Sequence, residues 1–212
     1  MKKHSGIISR FNAWRLNKSR SKGNEQIEEH RKELCSGLSG RVLEIGPGTG
    51  SNLEYYSNKV TLTGLEPNPH MQKYLNKKAR QTGTSIEIIT GTSEEIPAAD
   101  ESFDAVVSTL VLCSVESLKK SLSEIKRVLK TGGQFLFIEH VAAPKSTWLR
   151  AAQAFLKPFW KWKTDGCHPD RETWKSIEKA GFDHVEIEHF RLSLFLVGPH
   201  IMGKAVKANK SS

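Results

Sequence analysis

The sequence predicts a three-layer α/β fold: a seven-stranded mixed sheet with helices on both faces and its last strand antiparallel. Three observations carry that expectation. Short apolar runs rich in Val, Ile and Leu recur along the chain and alternate with longer segments of helical period. The first run, Val42, Leu43 and Ile45, is followed directly by glycines at 46, 48 and 50. An acid, Glu66, closes the second run 20 residues after Gly46. In sheets of parallel strands joined by helices, ligands lie at the carboxyl ends of the strands, which is where these features fall.

The glycine stretch, VLEIGPGTGSNL, reads as a buried strand, a tight loop and a helix start that Ser51 or Asn52 can cap. Glycine lets the backbone approach a ligand in conformations that a side chain forbids, and a helix start offers unpaired N–H groups. A small polar ligand is therefore expected across Gly46, Gly48 and Gly50. A dinucleotide site is one candidate, but its G-x-G-x-x-G spacing would need glycine at position 51, which is serine. The spacing present is E-x-G-x-G-x-G, with Glu44 inside the strand.

The other elements follow in order. A helix over 24–38, with Ile27, Leu34 and Leu38 as its apolar positions, leads into the first strand. The second strand covers 60–65 and ends at Glu66, where an acid can accept hydrogen bonds from both hydroxyls of a ribose. Pro67 and Pro69 bracket a turn into a basic helix over 70–81. The third strand, 85–90, opens into a polar loop that begins Thr92, Ser93, Glu94. The fourth covers 103–107 and leaves through Ser108, Thr109 and Leu110. A helix over 118–129 stops at two glycines, and the fifth strand runs 134–141. Trp148, Ala152, Phe155, Phe159 and Trp162 then recur at helical spacing, interrupted by Pro158; they read either as a lid or as an ordinary helix burying aromatics. A helix over 170–180 and strands over 184–190 and 200–206 complete the domain.

At 212 residues the chain suits one domain of ordinary size. Residues 1–22 form a basic arm, 23–207 one domain with an insertion at about 144–168, and 208–212 a tail. No apolar stretch reaches the ~18 residues of a membrane span. Cys35, Cys113 and Cys167 include no C-x-x-C pair, so neither a disulfide framework nor a zinc signature is indicated, and the cytoplasm is the expected compartment. The net charge of +9 sits at the ends, with seven basic residues before Glu25 and three after position 203. A nucleic-acid enzyme spreads basic residues over a groove, so nucleic acid is not the expected partner. Ile7, Phe11 and Trp14 at helical spacing make the arm either a peripheral membrane contact or a strap over its own domain. No feature specifies an oligomeric state.

The E-x-G-x-G-x-G stretch and the string EIKRVLKTGGQFLFIE resemble the class I S-adenosylmethionine-dependent methyltransferases, which have a Rossmann-like sheet. Four further strings, TLVLCSV, EHVAAPKSTW, DGCHPDRETWK and GPHIMGKAVK, resemble the methyltransferase-like alkyl-thiol S-methyltransferases of animal microsomes and their bacterial relatives. The resemblance runs from about residue 40 to 207. It implies S-adenosyl-L-methionine as cofactor, held by Glu44, Gly46, Gly48, Gly50 and Asn52, by Glu66 and Pro67 at the ribose, by Thr92, Ser93 and Glu94 at the adenine, and by Thr109. The chain departs from the family pattern with Pro47 for cysteine, Glu66 for aspartate, threonine in place of an acid at 92, and a short basic arm where the family has a membrane anchor.

Methyl transfer from a sulfonium is an in-line displacement by an already activated donor, so no metal is expected. The protein's task is to align nucleophile and methyl and to exclude water. His140, Cys113 and the group Asp165, Cys167, His168 and Arg171 fall at the relevant sheet edge, and His140 and Asp165 are selected as the polar groups beside a small-molecule acceptor. A thiol is the acceptor that the resemblance implies. A phospholipid amine at a membrane surface, methylated on nitrogen, and a non-catalytic interaction module are the alternatives.

Overall fold

The computed structural model describes residues 25–164, 166–194 and 196–208. The basic arm at 1–22, Asp165 and all but the first residue of the tail lie outside the described residues. The elements are α1 (Glu25–Ser36), β1 (Gly40–Ile45), a 3-10 turn (Leu53–Tyr55), β2 (Val60–Leu65), α2 (Pro69–Thr82), β3 (Ile86–Ile89), β4 (Phe103–Thr109), α3 (Leu118–Val128), β5 (Leu129–His140), α4 (Trp148–Lys163), α5 (Thr173–Glu178), β6 (His184–Arg191) and β7 (Pro199–Val206).

The seven strands form one sheet in the order β3-β2-β1-β4-β5-β7-β6. β1 to β5 pair in parallel, and β7 runs antiparallel between β5 and β6. The expected mixed sheet, with its last strand inserted antiparallel, is therefore present. Alternation along the strands divides the core into two layers. Leu43, Ile45, Val106, Phe135 and Phe137 face α3 and α5 through Leu122, Ile125 and Ile177. Val42, Ala105, Val107, Leu136 and Ile138 face α1 and α2 through Leu34 and Leu75. Strand order reverses between β1 and β4, so the cleft opens at their carboxyl ends.

Four differences from the sequence expectation have a clear local setting, beside end shifts of one or two residues in other elements. The glycine loop leads into a three-residue 3-10 turn, not a helix, and Asn52 makes no capping bond. Its side chain is drawn instead into the sheet edge, where it serves Glu44 and Thr109. β5 begins at Leu129 rather than 134, because Leu129 pairs with Phe103 before the ladder slips and resumes at Ala105 opposite Gln134. Gly133 lies in that irregularity, where a Cβ would stand 2.8 Å from the Lys130 carbonyl. The helix expected over 170–180 contracts to Thr173–Glu178. α4 runs through Pro158 without ending there.

The aromatic positions of α4 are not its buried face. Trp148, Phe155, Phe159 and Trp162 are 67%, 85%, 57% and 71% exposed, whereas Leu149 and Gln153 are buried. Gln153 fixes the helix to the domain: its Oε1 accepts from Ala143 N at 2.8 Å, and its Nε2 donates to the Leu196 carbonyl at 3.0 Å.

Candidate active site

The glycine loop takes the left-handed backbone that its sequence requires, with φ of 58°, 56° and 85° at Gly46, Gly48 and Gly50. A Cβ on Gly46 would stand 2.7 Å from Val111 Cγ2, so this glycine also lets the loop after β4 close against the loop after β1. Gly48 N donates to Glu66 Oε2 at 3.0 Å, and Glu66 Oε1 accepts from Asn68 N at 2.9 Å. The buried Glu66 thus ties the glycine loop to the β2–α2 turn. Pro67 follows it, half-buried at the rim.

Glu44, Asn52 and the sequence-distant Thr109 meet in one buried network. Asn52 Nδ2 donates to Glu44 Oε1 at 2.9 Å and to Thr109 Oγ1 at 3.0 Å. Arg31 Nη1 donates to Asn52 Oδ1 at 2.6 Å, and Tyr56 Oη donates to Glu44 Oε2 at 3.0 Å. Burial first, and then the Glu44 charge, drives the Tyr56 phenol well above its ordinary range, so it remains a donor. The same two causes push the Cys35 thiol up to about 12. Sequence reasoning missed Arg31 and Tyr56. A signal for Arg31 existed: it occupies the i+4 position of the apolar stripe Ile27, Leu34 and Leu38, where a charge demands a buried partner.

The loop after β3 is held by its own acids and hydroxyls. Ser93 Oγ pairs with Ser121 Oγ at 2.8 Å, and Glu94 Oε1 accepts from Glu116 N and Ser117 N at 2.8 and 3.3 Å, covering the start of α3. Thr92 bridges to Glu95. Ser93 and Glu94 therefore fix the loop's shape.

At the far side of the cleft, β5 ends in Glu139 and His140, whose side chains alternate. Glu139, fully buried, accepts from Ser108 Oγ at 2.8 Å and from Val111 N and Leu112 N at 3.0 Å each. It pins the loop after β4, in which Leu110 has a φ of 60°. Burial raises its pKa while those donors pull the other way. His140 Nε2 lies 2.8 Å from Cys167 Sγ, and Trp160 Nε1 donates to the same sulfur at 3.2 Å. A hydrogen bond from Cys113 lowers the Cys167 pKa, with His140 and Trp160 adding to it, and the same contact raises that of Cys113. His168 N donates to the Cys113 carbonyl at 2.9 Å, Arg171 Nη1 to the Leu112 carbonyl, and Ala142 N to the Arg171 carbonyl at 3.0 Å. His200 packs beside His140, ring centroids 6.3 Å apart, and burial pushes its imidazole down to about 4.

The domain built on this sheet has counterparts of known kind. A family model described as a methyltransferase domain matches residues 43–137, the span from β1 through β5. The human thiol S-methyltransferase TMT1B is 44% identical over 199 residues, covering 88% of this chain and 82% of that protein. The chain belongs to that methyltransferase family. A phosphatidylethanolamine N-methyltransferase of Cereibacter sphaeroides is 33% identical over 133 residues, covering 62% of this chain and 64% of its own length. In fold alone, the chain resembles a phosphoethanolamine N-methyltransferase of Haemonchus contortus in complex with S-adenosyl-L-methionine. That likeness has a TM-score of 0.66 at 16% identity, over 88% of this chain and 53% of the other.

The chain is thus an S-adenosylmethionine-dependent methyltransferase. Its residues fit the donor: Gly48 leaves open space over the backbone, Glu66 sets a buried carboxylate at the end of β2 that would meet the ribose hydroxyls, and Glu44 and Asn52 form a buried polar floor. When bound, the donor supplies an electrophilic methyl on a sulfonium.

Proposed function

We propose that this methyltransferase acts on a small-molecule thiol, converting it to a thioether at the edge formed by the β4–α3 loop, the end of β5 and the turn after α4. One observation carries the reading. Three of the four strings that resemble the thiol S-methyltransferases, at 109–115, 139–148 and 165–175, are remote in sequence yet converge in space. Glu139 binds the Val111–Cys113 backbone, His140 meets Cys167, and Arg171 reaches Leu112. The 44% identity to a thiol S-methyltransferase over most of both chains supports the same acceptor.

The chain's residues position and shield. Val111, packed at Gly46, joins the acceptor edge to the donor loop, and Glu139 fixes that contact by holding the loop's amides. His140 is the imidazole that faces the acceptor. Fixing two reactants in line is worth several kcal/mol of the barrier. The acceptor reacts as thiolate, so turnover of a soluble alkyl thiol should rise as pH approaches that thiol's pKa, need no vesicles and survive deletion of residues 1–22. Product formation from radiolabelled donor tests this. Turnover confined to vesicles, with none of free thiols, refutes it, and no product from thiols, amines or lipids would leave an interaction module.

A second reading, N-methylation of a phospholipid headgroup, is favoured by the aromatic face of α4, by Lys157 and Lys161 alongside it, and by the relative that acts on phosphatidylethanolamine. Among the described residues no helix is long and apolar enough to cross a membrane. We propose that the protein is cytoplasmic and touches a membrane at its periphery through α4 and the basic arm. Co-sedimentation with anionic vesicles that falls with added salt tests that location.

A further inference from the structure

Cys113, His140 and Cys167 come from three segments, the β4–α3 loop, the end of β5 and the turn after α4. One ligand atom from each lies within 4.8 Å of the other two, and all three residues are buried. Two thiolates and an imidazole around one tetrahedral zinc stand about 3.5–3.8 Å apart, given metal–ligand bonds of about 2.0–2.3 Å. The cluster needs only small side-chain shifts to reach that arrangement. We propose that Cys113 Sγ, Cys167 Sγ and an imidazole nitrogen of His140 bind one thiophilic divalent cation of the zinc class.

The contacts of the three groups fit ligands better than structural residues. His140 Nδ1 is buried with no hydrogen-bond partner, so the ring's one polar contact is the one to Cys167. A histidine retained for packing would use both nitrogens. Cys113 Sγ hydrogen-bonds to Cys167, and its other contacts are long, 3.6 Å to the Leu110 carbonyl and 3.5 Å to Ser114 Oγ. Cys167 receives the Trp160 indole N–H, the kind of outer donor that steadies a metal-bound thiolate. Two thiolates neutralise a dication, leaving Glu139 to face Arg171 in the same buried region. The absence of carboxylate or carbonyl oxygens from the ligand set selects a soft cation over magnesium or calcium.

The frame that brings the ligands together does not depend on the cation. Glu139 holds Cys113 N at 3.4 Å, His168 N holds the Cys113 carbonyl at 2.9 Å, and Arg171 links the β4–α3 loop to Ala142. Three protein ligands leave a fourth position. Resting on the thiol reading above, that position takes the acceptor: R–SH releases its proton to solvent and its sulfur coordinates the cation as thiolate. The acceptor's S–CH3 bond then forms as the donor's S–CH3 bond breaks, and that electron pair stays on the donor sulfur, which becomes a neutral thioether. The methylated acceptor is also a neutral thioether, a weaker ligand, and leaves.

The test uses the full chain, kept reduced with a phosphine, stripped by chelator and titrated with cobalt(II) alone. One equivalent should bind, with a thiolate-to-cobalt charge-transfer band in the near ultraviolet and the visible bands of a four-coordinate ion, and zinc should displace it one for one. Cys113→Ser and Cys167→Ser should each remove about half of the charge-transfer intensity and weaken zinc at least a hundredfold. S-adenosylhomocysteine should still bind both variants within about twofold, which shows that they are folded. Added alkyl thiol should shift the cobalt spectrum. No stoichiometric binding to the reduced chain overturns the site, and an unmoved spectrum overturns the acceptor position. Full-rate thiol methylation by stripped enzyme refutes the cation's role while leaving the thiol reading intact. A loaded enzyme that methylates no thiol sinks that reading and not the metal site.

Discussion

Asn52→Ala removes the side chain at the centre of the buried network, and its effect follows from three bonds. Nδ2 donates to Glu44 and Thr109, Oδ1 accepts from Arg31, and Asn52 itself has no exposed surface. Hydrogen bonds to charged groups contribute about 1.5–3 kcal/mol each, and a neutral one about 1. The full sum is not lost, because Glu44 retains Tyr56 Oη at 3.0 Å and Arg31 retains Glu28 at 3.8 Å. Water entering the vacated space would recover more. A loss of about 2–4 kcal/mol remains, which for a chain of this size lowers Tm by about 4–16 °C. Urea unfolding should show the change in midpoint with an unchanged slope. Calorimetry should show donor affinity weakened tenfold or more, since Glu44 and Thr109 lose their alignment at the cleft floor. Asn52→Asp, which keeps the shape but sets a second carboxylate against Glu44, should be at least as harmful. A cost below 1 kcal/mol for the alanine variant, with unaltered donor binding, would show that Asn52 does not join these groups.

Glu66→Ala removes both the ribose acceptor and the tether on Gly48 N and should weaken donor binding at least tenfold by calorimetry; unchanged binding refutes the ribose assignment. Gly46→Ala forces a Cβ to within 2.7 Å of Val111 at a φ of 58°, and should cost about 2 kcal/mol or more in urea unfolding, whereas Gly83→Ala, with open space around it, should cost only the backbone strain of about 1. A hydrogen bond from Lys130 lowers the Asp104 pKa, so this pair adds stability above the ordinary carboxylate pKa that is lost as pH falls through the lowered one. Because both groups are partly exposed, Lys130→Ala should flatten that acid limb by less than about 1 kcal/mol. Phe155→Ser and Trp162→Ser should reduce co-sedimentation with anionic vesicles and leave soluble-thiol turnover intact; equal vesicle binding by both would remove α4 from the membrane contact.

The donor half of the site was legible because glycine and acid positions follow strand ends, and strand ends follow from apolar runs. Glu44, Gly46 and Glu66 needed no knowledge of tertiary packing. Asn52 was legible as a polar residue after the loop but not in its duty: capping is a local rule, and a buried carboxylate one strand-length away outcompeted it. The acceptor half was less legible. Cys113, His140 and Cys167 have no spacing that announces a shared site, since their proximity comes from the β4–β5 pairing and from the turn after α4. α4 misled through its period. The aromatic stripe and the Leu149–Gln153 stripe both repeat helically, and which one faces the domain was decided by Gln153, a polar residue whose two bonds match backbone groups that the helix covers.

The end of β5 explains why the two halves operate as one. Successive residues of a strand project to opposite sides, so the Glu139 carboxylate and the His140 ring take different hydrogen-bond partners. Glu139 turns toward β4 and fixes the amides of Val111 and Leu112. Val111 is the residue that meets Gly46, and Leu112 is the one whose carbonyl Arg171 holds. His140 turns the other way, to Cys167. The position of the acceptor edge relative to the donor loop is therefore set by the register of one strand, and a change at Glu139 should move both without touching either ligand. Glu139→Gln tests this. It keeps the size of the side chain and one accepting oxygen but replaces the other with a donor that cannot serve Cys113 N. Donor affinity and thiol turnover should fall together, turnover by more, while a variant that lost only one of the two would show that the halves are held independently.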